Sequence, residues 1–266
     1  MSAVHSFPER HRAIVDSLGK RLEAFLDDPD ADNLHDLRTE IRRACATLDA
    51  LPKKLRGRRK TRRLWDMLRD LMRRSAKPRD LDTLMARLAG YPSNHELDRL
   101  LKQVERGRRR KLKSTVSLAA SIRKLSALRP NAKETREEKE IGRRLDKVAR
   151  KLRSRMSQKL PIVLAEPGNV AMLHSLRKDC KRLRYMLELM PTHRENARLA
   201  ETMKSWQSLL GEVRDGDVTI EYLEGLERSP AVDEMLKAER SRRRRDYERF
   251  ARACRETSGA RLLFIS

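Results

Sequence analysis

Two short phrases carry the side chains best suited to holding an anion. His35, Arg38 and Arg42 stand three and four residues apart, and His174, Arg177, Lys181 and Arg184 repeat that spacing 139 residues later. At about 100° per residue, each set falls on one face of a helix. A guanidinium offers a planar fork that binds two phosphate oxygens at once, and an ammonium adds a compact charge beside it. Stripe residues recur about every 5–6 Å along a helix, which suits successive phosphates of an extended chain. The chemistry expected is the binding of something strongly anionic.

Both stripes sit inside a longer repeat. Leu34-His35-Asp36-Leu37-Arg38, followed by Ile41-Arg42-Arg43, returns as Leu173-His174-Ser175-Leu176-Arg177, followed by Cys180-Lys181-Arg182. A second phrase, Arg79-Asp80-Leu81-Asp82, returns as Arg214-Asp215-Gly216-Asp217. The run Glu105–Arg110 resembles Glu239–Arg244 in the same way. An internal duplication predicts two similar halves, residues 1–131 and 132–266.

The elements that position the stripes read as helices almost throughout, with Pro or Gly at the breaks. Ile14, Val15, Leu18, Leu22 and Phe25 give a first helix. A second starts near Asp32 or Asn33, both good N-caps, and carries Leu34, Leu37, Ile41, Ala44 and Leu48. Residues 53–63 read as a basic linker. Helices are expected over 62–74, 80–89 and 94–128, and then over 133–159, ending before Pro161. The seam Leu173, Leu176, Cys180, Leu183, Leu187 and Met190 marks the His174 helix. Further helices are expected over 195–210, 215–226 and 231–256, with Asp80 and Asp215 as N-caps. The fold class is all-α, about ten helices in two bundles. If the halves pack about a pseudo-twofold axis, their stripes face each other across a basic groove.

Composition supports an anionic partner. The 63 Lys+Arg against 39 Asp+Glu leave a formal charge of +24 and a pI of about 10.7. Small domains usually carry a net charge of magnitude roughly 2–8, and a larger excess costs self-repulsion while raising the local potential for anions. Aromatics are only 4% of the chain, and Trp65 and Trp206 occupy apolar stripes where core packing is the default. Stacking platforms for bases are therefore not expected, and nucleic acid is a secondary partner bound through its backbone. No apolar run reaches membrane-spanning length, and no secretory signal is visible. Cys45, Cys180 and Cys254 lack CxxC spacing and read as structural thiols of a reducing cytoplasm. Neither a P-loop nor metal-ligand spacing occurs, so no catalytic residue, metal or cofactor is expected. For His35 and His174, a structural hydrogen bond, a phosphate contact and metal or proton chemistry all stand as readings.

Taken together, Leu-His-x-Leu-Arg-x-x-x-(Arg/Lys)-Arg followed by Arg-Asp-x-Asp, twice over and all-helical, resembles the CHAD family, the conserved-histidine α-helical domain. The similarity spans roughly residues 5–256, and the His174–Tyr185 segment is the more specific copy. The resemblance implies two four-helix-type bundles with pseudo-twofold symmetry, a basic central pore, and binding of inorganic polyphosphate, in some members on polyphosphate granules. It carries that role onto His35, Arg38, Arg42, Arg43 and Arg79, and onto His174, Arg177, Lys178, Lys181, Arg182, Arg184, Tyr185 and Arg214. Three departures stand out. Cys45 replaces the position of Arg184, Ala76 replaces the family's Gly that Gly211 keeps, and Gly216 replaces Leu81 and is expected to loosen its helix. The Glu-x-Glu-x-Lys signature of a fused triphosphate hydrolase is absent, so a stand-alone form is expected, with its oligomeric state open.

Overall fold

A computed structural model describes residues 6–123, 138–190 and 194–256. Every regular element among them is a helix: α1 (Phe7–Asp27), α2 (Ala31–Ala50), α3 (Lys53–Arg56), α4 (Arg59–Arg74), α5 (Ala76–Leu88), α6 (His95–Arg123), α7 (Glu138–Ala165), α8 (Val170–Glu188), α9 (Arg194–Glu224) and α10 (Pro230–Glu256). The all-α expectation holds. The anticipated boundary at 131/132 lies outside the described residues.

Local chemistry explains where the helices start. Asp30, not Asp32 or Asn33, caps α2 by accepting from the Asn33 N–H at 2.7 Å. Asn169 caps α8 through the Met172 N–H at 3.0 Å, and Asn94 caps α6 through the Leu97 N–H at 2.9 Å. Ser229 caps α10, with Pro230 at the first helical position, where a missing N–H costs nothing. Each cap satisfies a donor that the helix itself leaves orphaned.

Further boundaries differ from expectation. The basic stretch 53–63 is largely helical, forming α3 and the start of α4. Pro161 lies inside α7 instead of ending it. A proline removes one donor, but the flanking turns bury Met156, Leu160 and Val163, and that packing holds the helix through the defect. The expected helices 195–210 and 215–226 are one element, α9, so Asp215 sits mid-helix and is no N-cap. Asp80 likewise stands in the second turn of α5.

By compactness the chain divides into two units. One comprises Met1–Met85, Lys102–Asp146 and Leu189–Thr192; the other comprises Ala86–Leu101, Lys147–Glu188 and His193–Ser266. The division does not follow a single cut in the sequence. In the first unit α1 packs on α2 and α2 on α4, around Phe25, Leu34, Leu37, Ile41, Leu68 and Leu71, all without exposed surface. In the second, α8 and α10 both pack on α9. There Trp206 and Phe250 meet edge to face with centroids 6.2 Å apart, both fully buried. Each such side chain contributes roughly 1.5–3 kcal/mol by leaving water.

Candidate functional site

The second motif lies on α8, whose apolar seam fixes what its neighbours can do. Leu173, Leu176, Cys180, Leu183 and Leu187 are buried, so the residues beside them emerge at the edge of the core. His174, Arg177 and Lys181 are half-buried there, while Lys178 and Arg182 are exposed. Arg214, half-buried, joins them from α9. Burial first, and then the positive charges of Lys178, Arg214, Arg177 and Lys181, depress the His174 pKa from 6.5 to about 4. One imidazole therefore senses four cations from two helices. Its Nδ1 is buried without a hydrogen-bond partner.

Arg177 is held close to α9. A Cβ on Gly211 would stand 3.7 Å from Arg177 Nη2, an ordinary van der Waals distance, so the guanidinium lies along this stretch of the helix. The one carboxylate of the motif is neutralised elsewhere. Asp179, 4% exposed, is paired with Arg155 and, at 2.6 Å, with Lys159. Lys159 also donates to Ser175 Oγ at 2.6 Å. Arg184 and Tyr185 have partners of their own. Arg184 pairs with Glu188 at 3.2 Å and stacks 4.6 Å above the Tyr185 ring, and Tyr185 is only 4% exposed.

The first motif, on α2, is arranged differently. His35 is exposed and Arg42 half-buried, and Arg43 pairs with Glu40 at 2.6 Å. Arg38 turns inward. It donates to Met72 O at 2.8 Å and to Ser75 Oγ at 2.5 Å. The reason is the break between α4 and α5. A helix end leaves carbonyls unsatisfied, and Arg38 supplies the donor. At the corresponding place Arg177 lies against an unbroken α9. Arg79 reaches the start of α2, donating to Ala31 O at 3.4 Å.

The Arg-Asp-x-Asp phrases do structural work through their last residue. Asp82 accepts from Arg108 Nε, and Arg108 Nη2 donates to Pro29 O at 3.0 Å. Asp217 accepts from Arg243 Nε at 2.9 Å, and Arg243 Nη1 donates to Pro167 O at 2.7 Å. One brace thus ties α5 to α6 and to the turn before α2; its counterpart ties α9 to α10 and to the turn before α8. The pairing shifts the Glu105/Glu239 correspondence by one residue, because Arg108 matches Arg243. Gly216 also gains a reason. A Cβ there would stand 3.0 Å from Arg243 Cβ and Cγ, so it serves close approach and does not loosen a short helix.

A buried ionic cluster in the second unit is built from residues far apart in the sequence. Arg87 donates to Glu239 at 2.8 and 3.1 Å and to Glu212 O at 3.2 Å, and Tyr91 Oη donates to Glu239 Oε1 at 2.9 Å. Asp246 lies 3.9 Å from Arg87. Burial, followed by the Glu239 hydrogen bond, raises the Tyr91 pKa. Its only sequence hint was Arg87 at core spacing between Leu84 and Leu88. Trp65, expected in the core, is half-buried beneath Arg69, whereas Trp206 is fully buried.

The cysteines are unpaired, and burial raises the Cys45 and Cys254 thiols to about 12 and Cys180 further. Among the described residues, no three His, Cys, Asp or Glu side chains converge as metal ligands. None of their helices is long and apolar enough to cross a membrane. Comparison with known proteins gives two findings. A family model described as CHAD domain matches residues 10–224. The fold is similar to the crystal structure of the CHAD domain from the plant Ricinus communis, at 17% identity and a TM-score of 0.61, covering 97% of this chain and 94% of that one. No curated protein matches the chain.

Proposed function

The chain belongs to the CHAD domain family, and from that premise we propose that it binds inorganic polyphosphate through the basic cluster of α8 and α9. The family is associated with polyphosphate binding in general. What supports the reading here is the convergence of Arg177, Lys178, Lys181 and Arg214 on His174. Four cations and a neutral imidazole suit a polymer that offers one charge per phosphate and no bases. The motif's aromatic, Tyr185, is buried under Arg184 and offers no face for a base to stack on.

A binding role is favoured over catalysis because Asp179, the carboxylate within the motif, is tied to Arg155 and Lys159. It is then a poor general base or metal ligand. The parallel braces at Asp82–Arg108 and Asp217–Arg243 support an internal duplication. A role on polyphosphate granules or as a cytoplasmic scaffold is the form this binding would take.

Competition tests the proposal. Duplex DNA at matched phosphate concentration and physiological salt should fail to displace long-chain polyphosphate from the protein. Ready displacement would favour an electrostatic nucleic-acid binder. Release of orthophosphate with added magnesium or manganese, lost in His174→Ala, would instead reveal a hydrolase.

A further inference from the structure

The densest run of Lys and Arg in the sequence, Lys53 to Arg63, lies on α3 and the start of α4. No acidic residue occurs between Asp49 and Asp66, and eight of the residues from Lys53 to Arg63 are Lys or Arg. Seven of those eight are exposed; Arg56 is half-buried. The crowd stands where a helix least tolerates it. Cations at a helix N-terminus oppose the macrodipole, yet α4 opens on Arg58 with no side-chain cap and no acid in its first turn. A local rule broken in this way points to function.

The face also has a shape. A wide, open depression of about 650 Å³ is lined by Arg59, Arg62, Arg63 and Arg73, with Asp66 and Asp70 on the same face. Asp70 is already paired with Arg73 at 2.6 Å and Arg74 at 3.0 Å. At the edge of this arginine row stands half-buried Trp65, with the Arg69 guanidinium 5.2 Å from its ring centroid. A bare phosphate chain gains nothing from an indole. A strand bearing unpaired bases does, because aromatic stacking contributes about 1–3 kcal/mol per base.

We infer that the outer face of α3 and α4 is a docking surface for single-stranded nucleic acid, with phosphodiesters held by Arg59, Arg62, Arg63 and Arg73 and a base stacked at Trp65. The base extends or replaces the Arg69–Trp65 stack. Duplexes are disfavoured because their bases are already stacked on one another. This surface is separate from the residues assigned to polyphosphate and stands or falls without them.

Trp65 supplies its own reporter, since the other tryptophan, Trp206, is fully buried. The full chain is titrated with a twelve-nucleotide oligodeoxythymidine, with the same sequence as a duplex, and with inorganic polyphosphate of equal phosphate number. The single strand should quench Trp65 emission, and the quenching should vanish in Trp65→Leu. Anisotropy of a labelled strand should show binding weakened about tenfold in Trp65→Leu and lost in Arg59→Glu/Arg62→Glu/Arg63→Glu. If circular dichroism shows that the triple variant loses helicity, Arg62→Gln/Arg63→Gln replaces it, with weaker binding and a shallower salt dependence expected. Equal affinity in Trp65→Leu, or equal quenching by duplex or by polyphosphate, would overturn the inference. So would binding that survives the α4 substitutions but is lost in Lys178→Ala/Lys181→Ala.

Discussion

Arg177 lays its guanidinium along α9 at Gly211, with Nη2 3.7 Å from the place a Cβ would take. That separation is ordinary van der Waals contact, so an alanine fits without displacing the arginine. Five residues on, Gly216 faces Arg243 at 3.0 Å, where a Cβ does not fit unless the stem of that side chain moves. The two glycines share a helix but not a reason for being there.

Opposite effects on stability follow. Gly211→Ala should stabilise by up to about 1 kcal/mol, the helix-propensity difference, and leave polyphosphate affinity unchanged. Gly216→Ala should cost about 1–3 kcal/mol through overpacking against Arg243, which also strains the Asp217 brace. Thermal melts of the two variants check this; shifts of the same sign would refute it.

The Arg87–Glu239 pair should behave as a buried charge couple. Arg87 is 8% exposed and Glu239 not at all. Arg87→Ala strands the Glu239 carboxylate and should cost about 3–5 kcal/mol. Arg87→Met with Glu239→Leu removes both charges and should recover most of that loss. Urea unfolding measures both, and a double variant no better than the single one would contradict the assignment.

His174 sets a pH dependence. In the free protein its pKa lies near 4, below the ordinary 6.5, through burial and the surrounding cations. An anion placed among those cations offsets their repulsion, so the bound state takes up a proton more readily. Polyphosphate affinity should therefore rise as pH falls from about 7 towards 4 and level off outside that window. The free protein changes the other way. Its imidazole stays neutral where an unfolded chain's would protonate, so stability is lost as pH falls through 6.5 towards 4. Calorimetry in buffers of different ionisation heat should detect proton uptake at pH 6 that is absent in His174→Gln. No uptake in the wild type would remove His174 from the site.

Much of the fold was legible because an apolar seam is a local signal. Leu34, Leu37, Ile41, Ala44 and Leu48 are all buried, as are Leu173, Leu176, Cys180, Leu183, Leu187 and Met190. The stripes one residue away were legible for the same reason. What escaped was decided at a distance. Nothing near Arg38 reports that α4 ends beside it, and nothing near Arg87 reports a glutamate 152 residues on. Asp215 and Gly216 have the look of a helix start, yet packing of α8 and α10 carries α9 straight through them. Pro161 misled in the same way, because burial on either side outweighs one lost hydrogen bond.

The most direct measurement is polyphosphate affinity against salt for three proteins: the wild type, Lys178→Ala/Lys181→Ala, and Arg244→Ala/Arg245→Ala, which removes two exposed cations from α10. All lose the same formal charge apart from the wild type, and each phosphate contact contributes its own increment to the salt slope. Clustered binding predicts weaker affinity and a shallower slope for the α8 variant alone, with helicity preserved. Equal losses in both variants would mean that net charge, not the α8–α9 cluster, holds the polymer, and would contradict the account.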